Sequence, residues 1–186
     1  MNRRLSPTLW RTCRMLSGKT RIRLLHHICN HPGDHVSAMA KTMGIGVSAA
    51  SQELRRIQSR GILQTEYRGA KLIYRLGADP LVYSAAPIVN ALQASLTTGG
   101  DQEGERLRRI AKGLGHRKRI ALLRSLLKSP QTTYALQQEL KMAFCTIRPH
   151  LDALLESGLI RRTGRTFHPV SPSHPLARAL LKLLPD

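Results

Sequence analysis

The sequence predicts a mainly α chain with small β-hairpins, an α+β protein built as two similar units in tandem. Three observations predict it. Apolar residues recur at helical spacing, short apolar segments close on glycine turns, and the whole arrangement is written twice. Between residues 16–32 and 114–130, Leu16, Arg21, Ile22, Leu24, Leu25 and Pro32 fall on Leu114, Arg119, Ile120, Leu122, Leu123 and Pro130. Past a gap near Gly33, residues 36–63 lie over 133–160, where Ala38, Leu54 and Gly61 meet Ala135, Leu151 and Gly158. A period of about 97 residues is too long for a solenoid and indicates a duplicated domain. The polar, glycine-rich TTGGDQEGE reads as a linker. The chain then divides into a first domain over 1–96, the linker over 97–105 and a second domain over 106–186.

Each unit has the same local grammar. A helix carries Ile22, Leu25, Ile28 and Cys29 on one apolar stripe, and a turn at HPGD follows. A short helix over about 36–43 ends near Gly44. A third, over about 47–60, buries Ala50, Leu54 and Ile57 and stops at Gly61, a C-terminal cap. ILQTEY, RGAK and LIYRL then give strand, tight turn and strand. The second copy repeats this order with a shorter hairpin, LIRRT, GR and TFHPV. Helix, helix, turn, helix, hairpin is the order of a winged helix-turn-helix, so the expected architecture is tandem winged helix-turn-helix domains. A further helix follows each hairpin. The first has Leu81, Val82, Ala85, Ile88, Val89, Leu92 and Leu96, with Pro87 expected to kink it. The second, HPLARALLKLL, has Leu176, Leu180, Leu181 and Leu184. Both apolar stripes are candidates for pairing, either within one chain as a pseudo-dimer or between chains in a homodimer; an intradomain core accounts for them equally.

Charge points to the partner. The net charge is +19, and 22 of the 30 basic residues are arginine. Self-repulsion on this scale destabilises a compact chain unless a polyanion relieves it. Double-stranded DNA fits best, because guanidinium groups grip phosphate and guanine bidentately. The basic residues are spread over several helices, which disfavours a membrane surface, and no uncharged stretch is apolar enough to span a bilayer. Three widely spaced cysteines, Cys13, Cys29 and Cys145, suit reduced thiols in a cytoplasmic setting, and no secretory signal is visible. Nothing looks catalytic: there is no phosphate loop, HExxH, GxSxG or close carboxylate pair, so neither an enzyme nor a cofactor is expected.

LSGKTRIRLL, VSAMAKTMGIGVSAASQELRRIQSRGIL and YRGAKLIYRL together resemble the ArsR/SmtB family of bacterial and archaeal transcriptional repressors. The resemblance covers residues 5–96 well and residues 104–184 less closely. The family pattern is a serine-rich start to the recognition helix, a leucine one turn on, and a small residue, glycine and leucine at its exit. The resemblance implies a DNA-binding regulator, a repressor by family habit, that dimerises and reads two half-sites. Two other readings are an architectural or mobile-element-associated DNA-binding protein with weak sequence preference, and a protein-interaction scaffold.

The segment LLHHICNHPGDH resembles a metal site in composition only. Cys29 aligns with Leu127 on the apolar stripe. His26, His27 and His31 align with Arg124, Ser125 and Ser129, expected to be solvent-facing positions on the last turn of a helix, where a partly protonated histidine meets the negative dipole end. His26 and His27 point about 100° apart on a helix. Where the family's metal sensors carry Cys-x-Cys, this chain has His35-Val36-Ser37, and residues 80–96 lack the Asp and His ligands of other members. A histidine-rich turn is expected and no metal; His31 and His35 are the most suitable pair should one bind.

In the first unit the third helix presents Ser48, Ser51, Gln52 and Arg55 opposite its buried face, with Arg56 at the edge. Gln52 suits adenine and Arg55 suits guanine or phosphate. Arg68 and Lys71 flank the hairpin tip, within reach of the DNA backbone. In the second unit Pro149 stands where the first has Gln52, and Asp152 where it has Arg55. A proline is tolerated only in a first turn, so this helix either starts late, with Thr146 as N-cap, or kinks. Arg148, His150, Arg162 and Arg165 keep the second unit basic, fit for backbone contacts or for pairing.

Overall fold

In the computed structural model, residues 7–97 and 99–184 are described. The first half runs α1 (Leu9–Leu16), α2 (Lys19–Asn30), α3 (Val36–Met43), α4 (Val47–Gln58), β1 (Leu63–Arg68), β2 (Lys71–Leu76) and α5 (Ala85–Leu96). The second runs α6 (Asp101–Leu114), α7 (Arg117–Lys128), β3 (Gln131–Thr132), α8 (Thr133–Leu140), α9 (Phe144–Glu156), β4 (Ile160–Thr163), β5 (Thr166–Pro169) and α10 (Pro175–Lys182). The protein is thus mainly helical, with two winged helix-turn-helix arrangements in sequence.

The two hairpins share a turn. β1 pairs antiparallel with β2 up to Arg68 opposite Lys71, and β4 with β5 up to Thr163 opposite Thr166. Gly69 and Gly164 each lead their turn at φ +59°, the first central position of a type II′ turn, which glycine adopts at least cost. In the second unit β3 adds a short third strand on β5.

Several expectations are corrected. α6 begins at Asp101 and so takes in the last five residues of the stretch read as a linker. Leu81 and Val82 precede α5 rather than lying on it. Pro87 is the third residue of α5, where the missing N–H has no intrahelical partner to lose, so it sits in the first turn and not at a mid-helix kink. α9 begins at Phe144 with Ala143 as N-cap, so Thr146 does not cap it and Pro149 falls in the second turn. There the proline leaves the Cys145 carbonyl without its i+4 donor.

The halves share one hydrophobic core. α1 packs along α6, and α5 along α10, more extensively than any other helix pair. These pairs join like to like: Cys13 and Leu16 on α1 align with Ala111 and Leu114 on α6, and all four are fully buried. α5 contributes Ile88, Leu92 and Leu96 to the core, and α10 contributes Leu176, Ala177 and Leu180. A buried His174 reinforces the seam. Its ring caps α10 by accepting from Leu176 N–H at 3.0 Å, and its Nε2 lies 2.5 Å from Glu103 on α6.

Both recognition-type helices end on a left-handed glycine, Gly61 and Gly158, each at φ +72°. The surroundings differ. A Cβ at Gly61 would meet the Val82 side chain at 2.7 Å, whereas nothing lies within 4 Å at Gly158. Gly158→Ala should therefore cost about 1–2 kcal/mol of backbone strain. Gly61→Ala should cost roughly 1–3 kcal/mol more, because Val82 must shift. Urea unfolding of the two variants checks the order; equal losses would contradict it.

Candidate nucleic-acid interface

α4 is positioned by its apolar face. Ala50, Leu54 and Ile57 are fully buried, which turns Ser48 and Gln52 outward as exposed residues and leaves Ser51 half-buried. Arg55 is exposed, and its guanidinium lies near enough to the hydroxyl of the buried Tyr74 on β2 for its charge to act on it. Burial pushes the Tyr74 phenol up, and the Arg55 charge draws it partly back. Arg56 is tied to Glu53 one turn earlier, and Glu53 also accepts from Arg21 on α2 at 2.9 Å. Arg56 is thus a partly neutralised edge residue.

The first wing is less free than its sequence suggests. Arg68 Nε donates to Glu66 at 2.6 Å, and Arg75 reaches the same carboxylate oxygen at 2.7 Å. Arg68 also lines a recess of about 430 Å³ together with Cys29, Pro32 and Gln93. It leans back onto the body, and Lys71 alone remains an exposed tip cation with no ion pair among the described residues. Glu66, two residues before Arg68 on the same strand, was the signal for this in the sequence.

In the second unit Arg148 is exposed on α9 beside the exposed Asp152. Arg165 is exposed at the hairpin tip, and Arg162 donates to the Gly164 carbonyl at 2.8 Å while lying over the Phe167 ring. His150 does not join these cations. Its ring stacks on His116, centroids 4.6 Å apart, at the N-terminus of α7. Val47 and Phe144, aligned residues at the starts of α4 and α9, are exposed apolar groups on the same helix ends. The sequence reading missed both; apolar side chains of this kind contact thymine methyl groups in DNA complexes.

The histidine-rich segment also differs from expectation. His27 is not solvent-facing: it is buried and its Nε2 lies 2.8 Å from Asp34. His26 Nε2 lies 3.2 Å from the Gly99 carbonyl, and Cys29 is half-buried, its thiol pushed up to about 11 by burial. Among the described residues no three His, Cys, Asp or Glu side chains converge so as to hold a metal ion.

The two units treat one position in opposite ways. Arg21 on α2 pairs with Glu53 and donates to the Met15 carbonyl at 2.5 Å. Its counterpart Arg119 faces His150, the residue aligned with Glu53, and its buried Nε has no partner among the described residues. Burial lowers the proton affinity of both His116 and His150. Next come Arg119, Lys118, Arg117 and Arg14 for His116, and the His116 ring, Arg119 and Lys118 for His150. Both pKa values thus lie below the ordinary 6.5 in the folded chain. As pH falls through that value the unfolded chain takes up protons first, so stability present at neutral pH is lost toward acid. His150→Glu should place a carboxylate beside Arg119, raise stability at neutral pH by about 1 kcal/mol, and reduce the acid loss. Thermal midpoints across the acid range decide this; an unchanged pH dependence would refute it.

Among the described residues no helix is long and apolar enough to cross a membrane. Residues 116–162 match the model of a family described as bacterial regulatory protein, arsR family. The span runs from the N-cap of α7 into β4 and lies in the second unit, where the sequence resemblance reads as looser. The helix exit explains part of this: Ser157-Gly158-Leu159 keeps the small residue, glycine and leucine pattern, whereas the first unit has Arg60-Gly61-Ile62. No curated protein and no solved structure matches the chain. Over that span the chain is similar to the arsR-type helix-turn-helix, a DNA-binding module of transcription regulators.

Proposed function

We propose that the chain is a transcriptional repressor that binds double-stranded DNA as an intrachain pseudo-dimer, in which two domains related by duplication present α4 and α9 to two unlike half-sites. The observation that carries this reading is the pairing of like with like, α1 on α6 and α5 on α10. A symmetric dimer buries the same patch on both subunits, and here one chain supplies both copies of the patch. The apolar stripes that would otherwise seek a second chain are covered within the first.

In this reading α4 specifies bases through Gln52 and Arg55, with Ser48 and Ser51 small enough to let the helix sit deep. α9 docks by backbone contact through Arg148, with Arg165 on its wing, because Pro149 and Asp152 replace the two base-reading side chains and Asp152 repels phosphate. Arg162 and His150 contribute less, being engaged with Gly164 and with His116.

Selection of bound fragments from random DNA should return a bipartite site without two-fold symmetry, and the complex should contain one chain per duplex. Arg55→Ala should relax one base position at roughly 1–3 kcal/mol, while Arg148→Ala weakens all duplexes alike. A palindromic site bound by two chains would overturn the reading.

The wing gives a separate measurement. Each phosphate contact adds nearly one unit to the slope of log affinity against log salt. Because Arg68 is held by Glu66, the double variant Arg68→Ala/Lys71→Ala should flatten the slope by about one unit, not two. Binding over a salt series measures it; an unchanged slope would place the wing away from DNA.

A further inference from the structure

One face of α2 borders a recess, with Ile22 and His27 buried in it and Lys19, Arg23 and Asn30 exposed at its mouth. Residues 19, 22, 23, 26, 27 and 30 recur at the spacing of a single helical stripe, and α2 packs against α6. A stripe turned toward a neighbouring helix is ordinarily apolar. Here it reads Lys, Ile, Arg, His, His and Asn, and between it, the end of α3 and the start of α6 lies a cavity of about 660 Å³. The facing wall carries Gly100 and Gly104. A Cβ at Gly104 would approach Ile22 to 3.3 Å, so the glycine lets α6 come close without filling the space.

The charge in this cavity is unbalanced. Its acidic wall residue, Glu105, is paired with Arg108, and His27 with Asp34. Lys19 and Arg23, one turn apart, have no ion pair among the described residues. Ile22 and Met43 give the same space an apolar wall. The pseudo-symmetric position, between α1, α7 and α10, holds a second recess of about 610 Å³ lined by Trp10, Arg117, Ile120, Lys182 and Leu183, among others. The fold therefore opens a recess wherever an α1-type helix meets the other half. In the second unit, however, the residue aligned with Arg23 is Ala121, and Ser125 aligns with His27. The second recess also has two cations, Arg117 on α7 and Lys182 on α10, but only the first has its two, Lys19 and Arg23, one turn apart on one helix face.

We infer that the α2–α6 recess is a binding site for a small organic anion, a carboxylate with an apolar body, whose head group meets Lys19 and Arg23 while the body lies on Ile22 and Met43. The volume suits a molecule larger than an inorganic ion, and two unpaired cations in a concave, partly apolar wall favour a carboxylate over a neutral isostere. The site touches α2 and α3 of one unit and α6 of the other, and His26 joins the recess to the connection at Gly99. A ligand there favours one placement of the halves over another and so shifts the DNA-binding equilibrium. This last step rests on the repressor reading; binding to the free protein does not.

Calorimetry on the full chain with benzoate, salicylate and indole-3-acetate tests the site, with benzamide and inorganic phosphate as controls. At least one carboxylate should bind saturably, with benzamide and phosphate at least about tenfold weaker. Lys19→Ala/Arg23→Ala should lose about tenfold or more. Arg23→Ala alone, which installs the residue the second unit already has, should lose affinity with its unfolding midpoint retained. No carboxylate binding, equal binding of benzamide or phosphate, or full affinity in the folded variants would each overturn the site. The bound carboxylate should change DNA affinity about fivefold or more in the parent and not in the variants. Binding without that change overturns the regulatory role and leaves the site. If the chain binds no DNA fragment, the repressor reading fails while calorimetry still decides the site.

Discussion

Everything in this protein depends on the seam where α1 lies along α6 and α5 along α10. Cys13, Leu16, Ala111 and Leu114 are fully buried there, and small residues at the two aligned positions, Cys13 and Ala111, let the helices approach. Burial drives the Cys13 thiol up to about 12, so the group behaves as a small hydrophobe and not as a nucleophile. With this seam closed, a winged unit of fewer than 100 residues does not have to sustain its own core, because one apolar cluster runs through both units. The seam also sets where α4 and α9 stand, since each is carried on helices that pack into it.

The acidic side chains show how a chain of net charge +19 stays compact. Few are left free. Glu53 holds Arg21 and Arg56, Glu66 holds Arg68 and Arg75, Glu105 holds Arg108, Glu103 meets His174, and Asp34 meets His27. Several of these ties join elements distant in sequence, and surface pairs of this kind contribute little each. Their effect is directional: they fix which cations are held inward. Lys71, Arg148 and Arg165 remain exposed for a polyanion, while Arg56 and Arg68 are partly neutralised before any partner arrives.

Much of the fold was legible in sequence, for reasons that can be located. α2, α3, α4 and both hairpins follow from strong apolar periodicity and from glycines where the backbone must turn left-handed, at Gly44, Gly61 and Gly69. α1 and α6 were not legible as pairing helices. α1 is only 8 residues long, and the first turns of α6 are polar and glycine-containing, composition that also describes a linker. The candidate interface was legible as residue types but not as partnerships. Gln52 and Arg55 stand outward as the helical period requires. The retreat of Arg68 onto Glu66 is a same-strand contact that the i, i+2 spacing allowed, whereas the stacking of His150 on His116 and the burial of His27 depend on neighbours that spacing along one helix does not reveal.

Fusing two copies also changes what the copies can become. In a homodimer any substitution appears on both sides of the axis, so a base-reading residue cannot be lost from one half-site alone. Within one chain it can. Gln52, Glu53 and Arg55 of the first unit correspond to Pro149, His150 and Asp152 of the second, and the consequences reach beyond the surface. With Glu53 replaced by His150, Arg119 loses the carboxylate that its counterpart Arg21 keeps; burial lowers its proton affinity, and its Nε is left without a partner among the described residues. With Arg23 matched by Ala121, one recess at the seam has two cations on a single helix and the other has its two, Arg117 and Lys182, on different helices. The backbone has kept its approximate symmetry because the shared core requires it, and the side chains facing outward or into the recesses have lost it because nothing in the packing of the seam constrains them.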